Sequence, residues 1–198
     1  VYGNPEATIA SSKDFDKNKL KEYGINPEEP YILFMMGSLG SSSVAKVIDE
    51  SLGGINENVQ ILVVHGKANE YVFKTQENDR IHIVPYVDGL TTLKYAKLAI
   101  CRAGATTLSE IMALGVASIL VPSPYVPNNH QYYNAMEIAE NGGAMIIEEK
   151  DLNAKVLCDT INTLLDDDDK LSFMRSKAKK EEYNDAAYKM ISWLEDLQ

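Results

Sequence analysis

A repeated change of hydrophobic period narrows the folds open to this sequence more than any other feature. Tyr31-Ile32-Leu33-Phe34-Met35-Met36 is apolar without alternation, as expected of a strand covered on both faces. It stops at Gly37-Ser38-Leu39-Gly40-Ser41, and Val44, Val47, Ile48 and Leu52 then recur at helical spacing. The same alternation predicts strands over 59–65, 80–86, 98–101, 117–121 and 144–147. Helices are expected over 91–96, 107–114 and 131–140, and again from 153 onward with breaks near 166–169 and 181–185. Three prolines between 122 and 127 leave only a loop there. Strands that alternate with helices predict an α/β fold: a Rossmann-like parallel sheet of about six strands with helices on both faces. Residues 1–30 are polar and read as an interdomain linker remnant with one short helix around 13–23, which leaves 31–198 as the folded domain.

Charge excludes one class of partner. Nineteen Lys+Arg against 29 Asp+Glu give a net −10, so the chain has no basic face with which to displace the counterions of a nucleic acid. Cys101 and Cys158 lie far apart with no Cys/His cluster, which indicates reduced thiols in a cytoplasmic protein and no metal site. The longest nearly apolar run, 111–121, falls well short of the roughly 20 residues a spanning helix needs, so no transmembrane segment is expected. The opening Val1-Tyr2-Gly3-Asn4-Pro5 reads as a turn from the middle of a longer protein.

In open α/β sheets, ligands bind beyond the carboxyl ends of the strands, where the strand order reverses. That rule singles out 37–43, 101–110 and 122–131. Gly37, Ser38 and Gly40 lie between a strand and a helix, where close backbone approach and free amides suit a diphosphate. The spacing is neither a Walker loop nor a full dinucleotide fingerprint, and a plain tight turn explains it equally well. In Cys101-Arg102-Ala103-Gly104-Ala105-Thr106-Thr107-Leu108-Ser109-Glu110, Thr107 and Glu110 have capping-box spacing. The alternative is that Glu110 accepts hydrogen bonds from a ribose diol. Arg102 could equally be a surface ion pair. Asn129, His130 and Gln131 open a helix where amide side chains could read sugar hydroxyls, although Asn129 could simply cap and His130 pack. The Asp-x-Asp spacing in 166–169 sits between helices, which favours a solvated turn over a metal site.

Together these segments resemble the C-terminal, donor-binding half of glycosyltransferase family 28, the bacterial N-acetylglucosamine transferases of peptidoglycan synthesis. Gly3-Asn4-Pro5, Met36 to Ser41, Tyr86-Val87-Asp88, Cys101 to Glu110, Asn129-His130-Gln131 and Asn134-Ala135 occur in the family's order, with 101–110 the most specific. The resemblance implies one half of a GT-B enzyme, with two Rossmann-like domains and the nucleotide sugar held mainly by this one. It implies that Ser38 and neighbouring amides, with Gly37 and Gly40, contact the diphosphate of UDP-N-acetylglucosamine and that the Val87 backbone meets the uracil. Ala105, Thr106, Thr107, Leu108 and Ser109 would form the wall over phosphates and ribose, with Gly104 and Arg102 beside it. Glu110 would bind the ribose, and Gln131 the N-acetylglucosamine, near Asn129, His130 and Asn134.

Family members usually carry an arginine one or two residues after Gly-Asn-Pro; here those positions are Glu6 and Ala7. Weaker diphosphate binding is expected unless Arg102 or a residue of the absent half compensates. The implied reaction is inverting transfer of N-acetylglucosamine to the C4 hydroxyl of the undecaprenyl-pyrophosphoryl muramyl-pentapeptide, lipid I to lipid II. It needs no metal cofactor, and its base and lipid I site are expected in the absent N-terminal half. This piece alone is therefore expected to be inactive. The full-length protein would sit peripherally on the cytoplasmic face of the cell membrane. Other readings are a GT-B glycolipid synthase using a UDP-hexose, a non-catalytic nucleotide-sugar-binding module, and a nicotinamide dehydrogenase, for which the required final glycine is absent.

Overall fold

The computed structural model describes residues 4–37, 41–180 and 185–195. Six parallel strands make one sheet: β1 (Tyr31–Met35), β2 (Gln60–Val64), β3 (Ile81–Val84), β4 (Leu98–Cys101), β5 (Ser118–Leu120) and β6 (Ala144–Ile146). Their order is β3-β2-β1-β4-β5-β6. The chain winds outward from β1 in one direction, then returns to β1's other side and winds outward again. The helices are α1 (Pro5–Ser12), α2 (Ser42–Ser51), α3 (Gly89–Tyr95), α4 (Ala105–Leu114), α5 (His130–Ala139), α6 (Ala154–Leu165), α7 (Asp168–Ala178) and α8 (Ala186–Glu195).

The unbroken apolar runs follow from burial on both faces. Successive strand residues point to opposite sides of a sheet. Ile32, Phe34, Ile61, Val63, Ile100 and Ile119 enter one core with Ile48 of α2, Ile161 of α6 and Leu171 of α7. Leu33, Leu62, Ala99 and Leu120 enter the other with Leu93 of α3, Ile111 of α4 and Ile138 of α5. Each fully buried side chain of this size is worth about 1.5–3 kcal/mol. A polar residue at any of these strand positions would therefore be costly.

Three local expectations need correction. Residues 5–12 form a helix, with Pro5 at its first position, where a missing N–H costs nothing. Its Ala7 and Ala10 pack on Ala113 of α4. The helix expected over 13–23 is a 3-10 helix confined to Lys17–Tyr23 and ended by Gly24 at φ +83°. Leu20 and Ile25 belong to the core and α1 lies on α4, so this segment packs against the folded domain. Finally, α4 begins at Ala105, with Gly104 as its cap, two residues before the expected start. Among the described residues no helix is long and apolar enough to cross a membrane.

Candidate functional site

The strand order reverses between β1 and β4. From these neighbours the chain leaves towards α2 on one face and α4 on the other, which opens a crevice at the carboxyl ends. A cleft of about 500 Å³ lies there. Gly37 borders it after β1, Gly66 and Lys67 after β2, Tyr86 and Val87 after β3, and Thr106, Thr107 and Glu110 from α4. A hollow of about 540 Å³ lies elsewhere, among Phe15, Tyr95, Gly115 and Arg175. It sits where α3 and α4 end, next to the amino ends of β4 and β5. Lys13, Lys94 and Lys179 border it with Arg175, but Lys13 is paired with Asp88 and Arg175 donates to the Ala96 and Lys97 carbonyls. Helix carboxyl ends carry partial negative charge, whereas the first cleft meets the start of α4.

Gly37 has φ +84°, and a side chain there would meet open space. Glycine is therefore required by the backbone conformation, and the main chain lies bare to the cleft. Val87 borders the cleft while only 3% exposed, so it sits in the wall with little of its surface open. The next residue fixes it: the Asp88 N–H donates to Tyr23 Oη at 2.8 Å. The Asp88 carboxylate accepts from Thr91 Oγ1 at 2.9 Å and from Lys13 at 3.0 Å. Burial pushes that carboxyl up, but the bonds from Lys13 and Thr91 outweigh it and leave it below its ordinary value.

The start of α4 supplies donors. The first amides of a helix lack intrahelical acceptors, and Gly104 has no side chain to cap them. Thr107 lies within the helix, so the Thr107–Glu110 capping box does not form. Thr106, Thr107 and Glu110 face the cleft, while Ala105 is exposed just outside its lining. Leu108 is buried and its N–H donates to Gly104 O at 3.0 Å. Ser109 is also buried, and its hydroxyl donates to Ala105 O at 2.8 Å. Both support the wall from behind. Burial, and secondarily the charge of Glu110, push the Cys101 thiol far above its ordinary value, so it supplies no thiolate.

Arg102 does not border the cleft. Its guanidinium lies 2.8 Å from Glu149, with both side chains 11% exposed, and donates to Val121 O at 3.1 Å. It is thus an inward ion pair rather than a surface one. Ser43 Oγ reaches the same glutamate at 3.2 Å. Glu149 therefore joins the ends of β4 and β6 to the first turn of α2, and Arg102 is held away from any compensating role. Ala7, at one of the family's arginine positions, is buried against α4.

The third segment stands one strand over. Gln131 Oε1 accepts from Ser123 N–H at 2.9 Å, which ties the proline loop to α5. Asn129 takes the cap position in a left-handed conformation without a side-chain cap bond. His130 Nδ1 lies 3.0 Å from Pro127 O, and Asn134 is half-buried on the next turn. Asn129 borders a small hollow of about 80 Å³ with Tyr132 and Glu149. These residues adjoin the cleft region without lining it. Ser38, Gly40 and the Glu6 side chain lie outside the described residues. The 166–169 run serves the fold: Asp167 caps α7 through Lys170 N–H at 2.8 Å, and Asp168 pairs with Lys97 at 2.9 Å.

Sequence reasoning overlooked Lys67 and Glu149. Both follow strand carboxyl ends, β2 and β6, so the rule that selected the other three segments would have found them had every strand been included.

The sequence pattern of the glycosyltransferase family 28 C-terminal domain matches residues 31–190. A UDP-N-acetylglucosamine--N-acetylmuramyl-(pentapeptide) pyrophosphoryl-undecaprenol N-acetylglucosamine transferase of Caldanaerobacter subterraneus subsp. tengcongensis is 40% identical over 207 residues, covering 100% of this chain and 56% of the relative. A transferase of the same name from Latilactobacillus sakei is 33% identical over 100% of this chain and 56% of its own. The chain thus spans 56% of the length of these curated relatives. The crystal structure of Acinetobacter baumannii MurG superposes with a TM-score of 0.74 at 24% identity, covering 94% of this chain and 55% of that one, which shows the fold.

Proposed function

Because the chain belongs to the glycosyltransferase family 28 C-terminal domain family, we propose that it is the donor-binding half of an inverting glycosyltransferase. The enzyme would move N-acetylglucosamine from its UDP donor to the C4 hydroxyl of lipid I, giving lipid II in peptidoglycan synthesis. One observation carries the reading: the exposed glycine turn at Gly37, the Val87 wall, the start of α4 without a side-chain cap and Glu110 meet in one cleft.

Each group has a task. The Val87 main chain pairs with the uracil edge, and Glu110 accepts from the ribose hydroxyls. The diphosphate lies against the Gly37 turn and the amides of residues 105–107, where the dipole of α4 adds a favourable field. Those donors stabilise charge as UDP departs, because they are already oriented before the bond breaks. In this reading they, and not a metal ion, carry the diphosphate charge. Gln131 leaves Ser123 to read the sugar hydroxyls, or does so through its amide nitrogen while the bond holds. Inversion requires in-line attack by the acceptor hydroxyl as it loses its proton. The base and the lipid I site are assigned to the other half of the enzyme, working at the cytoplasmic membrane face.

Titration of this chain with UDP and with UDP-N-acetylglucosamine tests the assignment. Glu110→Ala is expected to weaken both ligands about tenfold, as for loss of a hydrogen bond to a charged group. Gln131→Ala is expected to weaken the sugar nucleotide more than UDP. Equal binding of both ligands by all three proteins would remove this site.

A further inference from the structure

We propose that Lys67 is the counter-cation of the diphosphate in this cleft. The inference rests on the nucleotide-binding reading above and adds a residue to it. Among the described residues that border the cleft, Lys67 is the one cation and Glu110 the one anion. A nucleoside diphosphate would bring further negative charge to a chain already at −10. Main-chain amides and a helix dipole supply only partial charges. A full positive charge on the wall is needed to offset ligand and glutamate together.

Other basic groups near the strand ends are committed elsewhere. Arg102 is paired with Glu149 and turned from the cleft. Lys13 is spent on Asp88 at 3.0 Å, beneath the Val87 turn. Lys67 stands differently. It follows Gly66, whose φ of +84° turns the chain out of β2, between β1 with Gly37 and β3 with Val87. Its ammonium lies 4.9 Å from the centre of the exposed Tyr86 ring, a weak hold at a solvent-facing site. A flexible four-carbon stem lets it leave that ring and meet phosphate oxygens as a point charge. Behind it the loop is anchored, since Asp49 accepts from Tyr71 Oη and from the Lys74 and Thr75 amides. The lysine therefore swings from a fixed base.

The experiment compares UDP with uridine on the wild-type chain, Lys67→Met and Lys67→Arg. Lys67→Met keeps the stem and removes the charge. It is expected to weaken UDP about tenfold, the scale of one charged hydrogen bond, while uridine affinity stays within about twofold. Lys67→Arg is expected to restore most of the UDP affinity. UDP binding by Lys67→Met at wild-type strength would overturn the role of Lys67 and leave the site assignment standing. An equal loss of uridine and UDP would mean that Lys67 shapes the cleft and does not meet phosphate, which also overturns the role. Failure of the wild-type chain to bind UDP or uridine would instead reject the nucleotide reading, and the role of Lys67 with it.

Discussion

Arg102 is where residue chemistry and sequence pattern part most clearly. A cation inside the strand-to-helix turn of 101–110 invites a phosphate role, yet the fold sets it against Glu149 with both side chains 11% exposed. Removing one member of such a pair leaves a buried charge unpaired. Glu149→Gln is therefore expected to cost about 3–5 kcal/mol in chemical denaturation, whereas Arg102→Met with Glu149→Leu should be close to neutral. A loss below about 1 kcal/mol for the single variant would mean the pair behaves as an exposed one. Glu149 lies 47 positions away in sequence (149 − 102), so nothing local announces the partner. Thr107 and Ser109 were opaque for a related reason. Gly104 caps α4 without a side chain, so the residues that look like a helix start lie inside the helix, with Ser109 bonded back to Ala105.

At the scale of elements, strands were easy to read and short helices were not. A strand covered on both faces leaves a continuous apolar run, and 31–36 and 59–65 correspond to β1 and β2 within one residue at each end. By contrast, α1 buries little more than two alanines against α4, a contact too small to leave a helical period in sequence. The segment between β2 and β3 lacks regular structure, and its order comes from Asp49. Burial pushes that carboxyl up, while bonds from Thr75, Lys74 and Tyr71 outweigh burial and leave it below its ordinary 3.8. The bond to Asp49 in turn favours the protonated Tyr71 hydroxyl, pushed up to about 12. A carboxyl with a lowered folded pKa stabilises fully above its unfolded value and loses that contribution as pH falls through the folded one. The amide resonances of Lys74 and Thr75 should therefore titrate together, with a midpoint below 3.8. A midpoint above that value would mean burial dominates and the anchor is weaker than its geometry indicates.

For the whole molecule, sheet order decides where chemistry can occur. Winding outward from β1 in both directions places the ends of β1 and β4 side by side with their helices on opposite faces, and the cleft follows from that divergence. The alternation of strands and helices made the parallel sheet readable, and the glycine-rich turns singled out the carboxyl ends of the strands, where this cleft lies. What could not be read was which side chains the turns would leave free, because that depends on long-range partners such as Lys13 for Asp88 and Glu149 for Arg102. In the proposed function, one cleft between β3 and α4 receives a nucleoside diphosphate. Amide chemical shifts recorded as UDP is added test it most directly. The changes are expected to concentrate at Gly37, Lys67, Val87, Thr106 and Thr107. Changes gathered instead around Phe15, Gly115 and Arg175, at the far hollow, would contradict it.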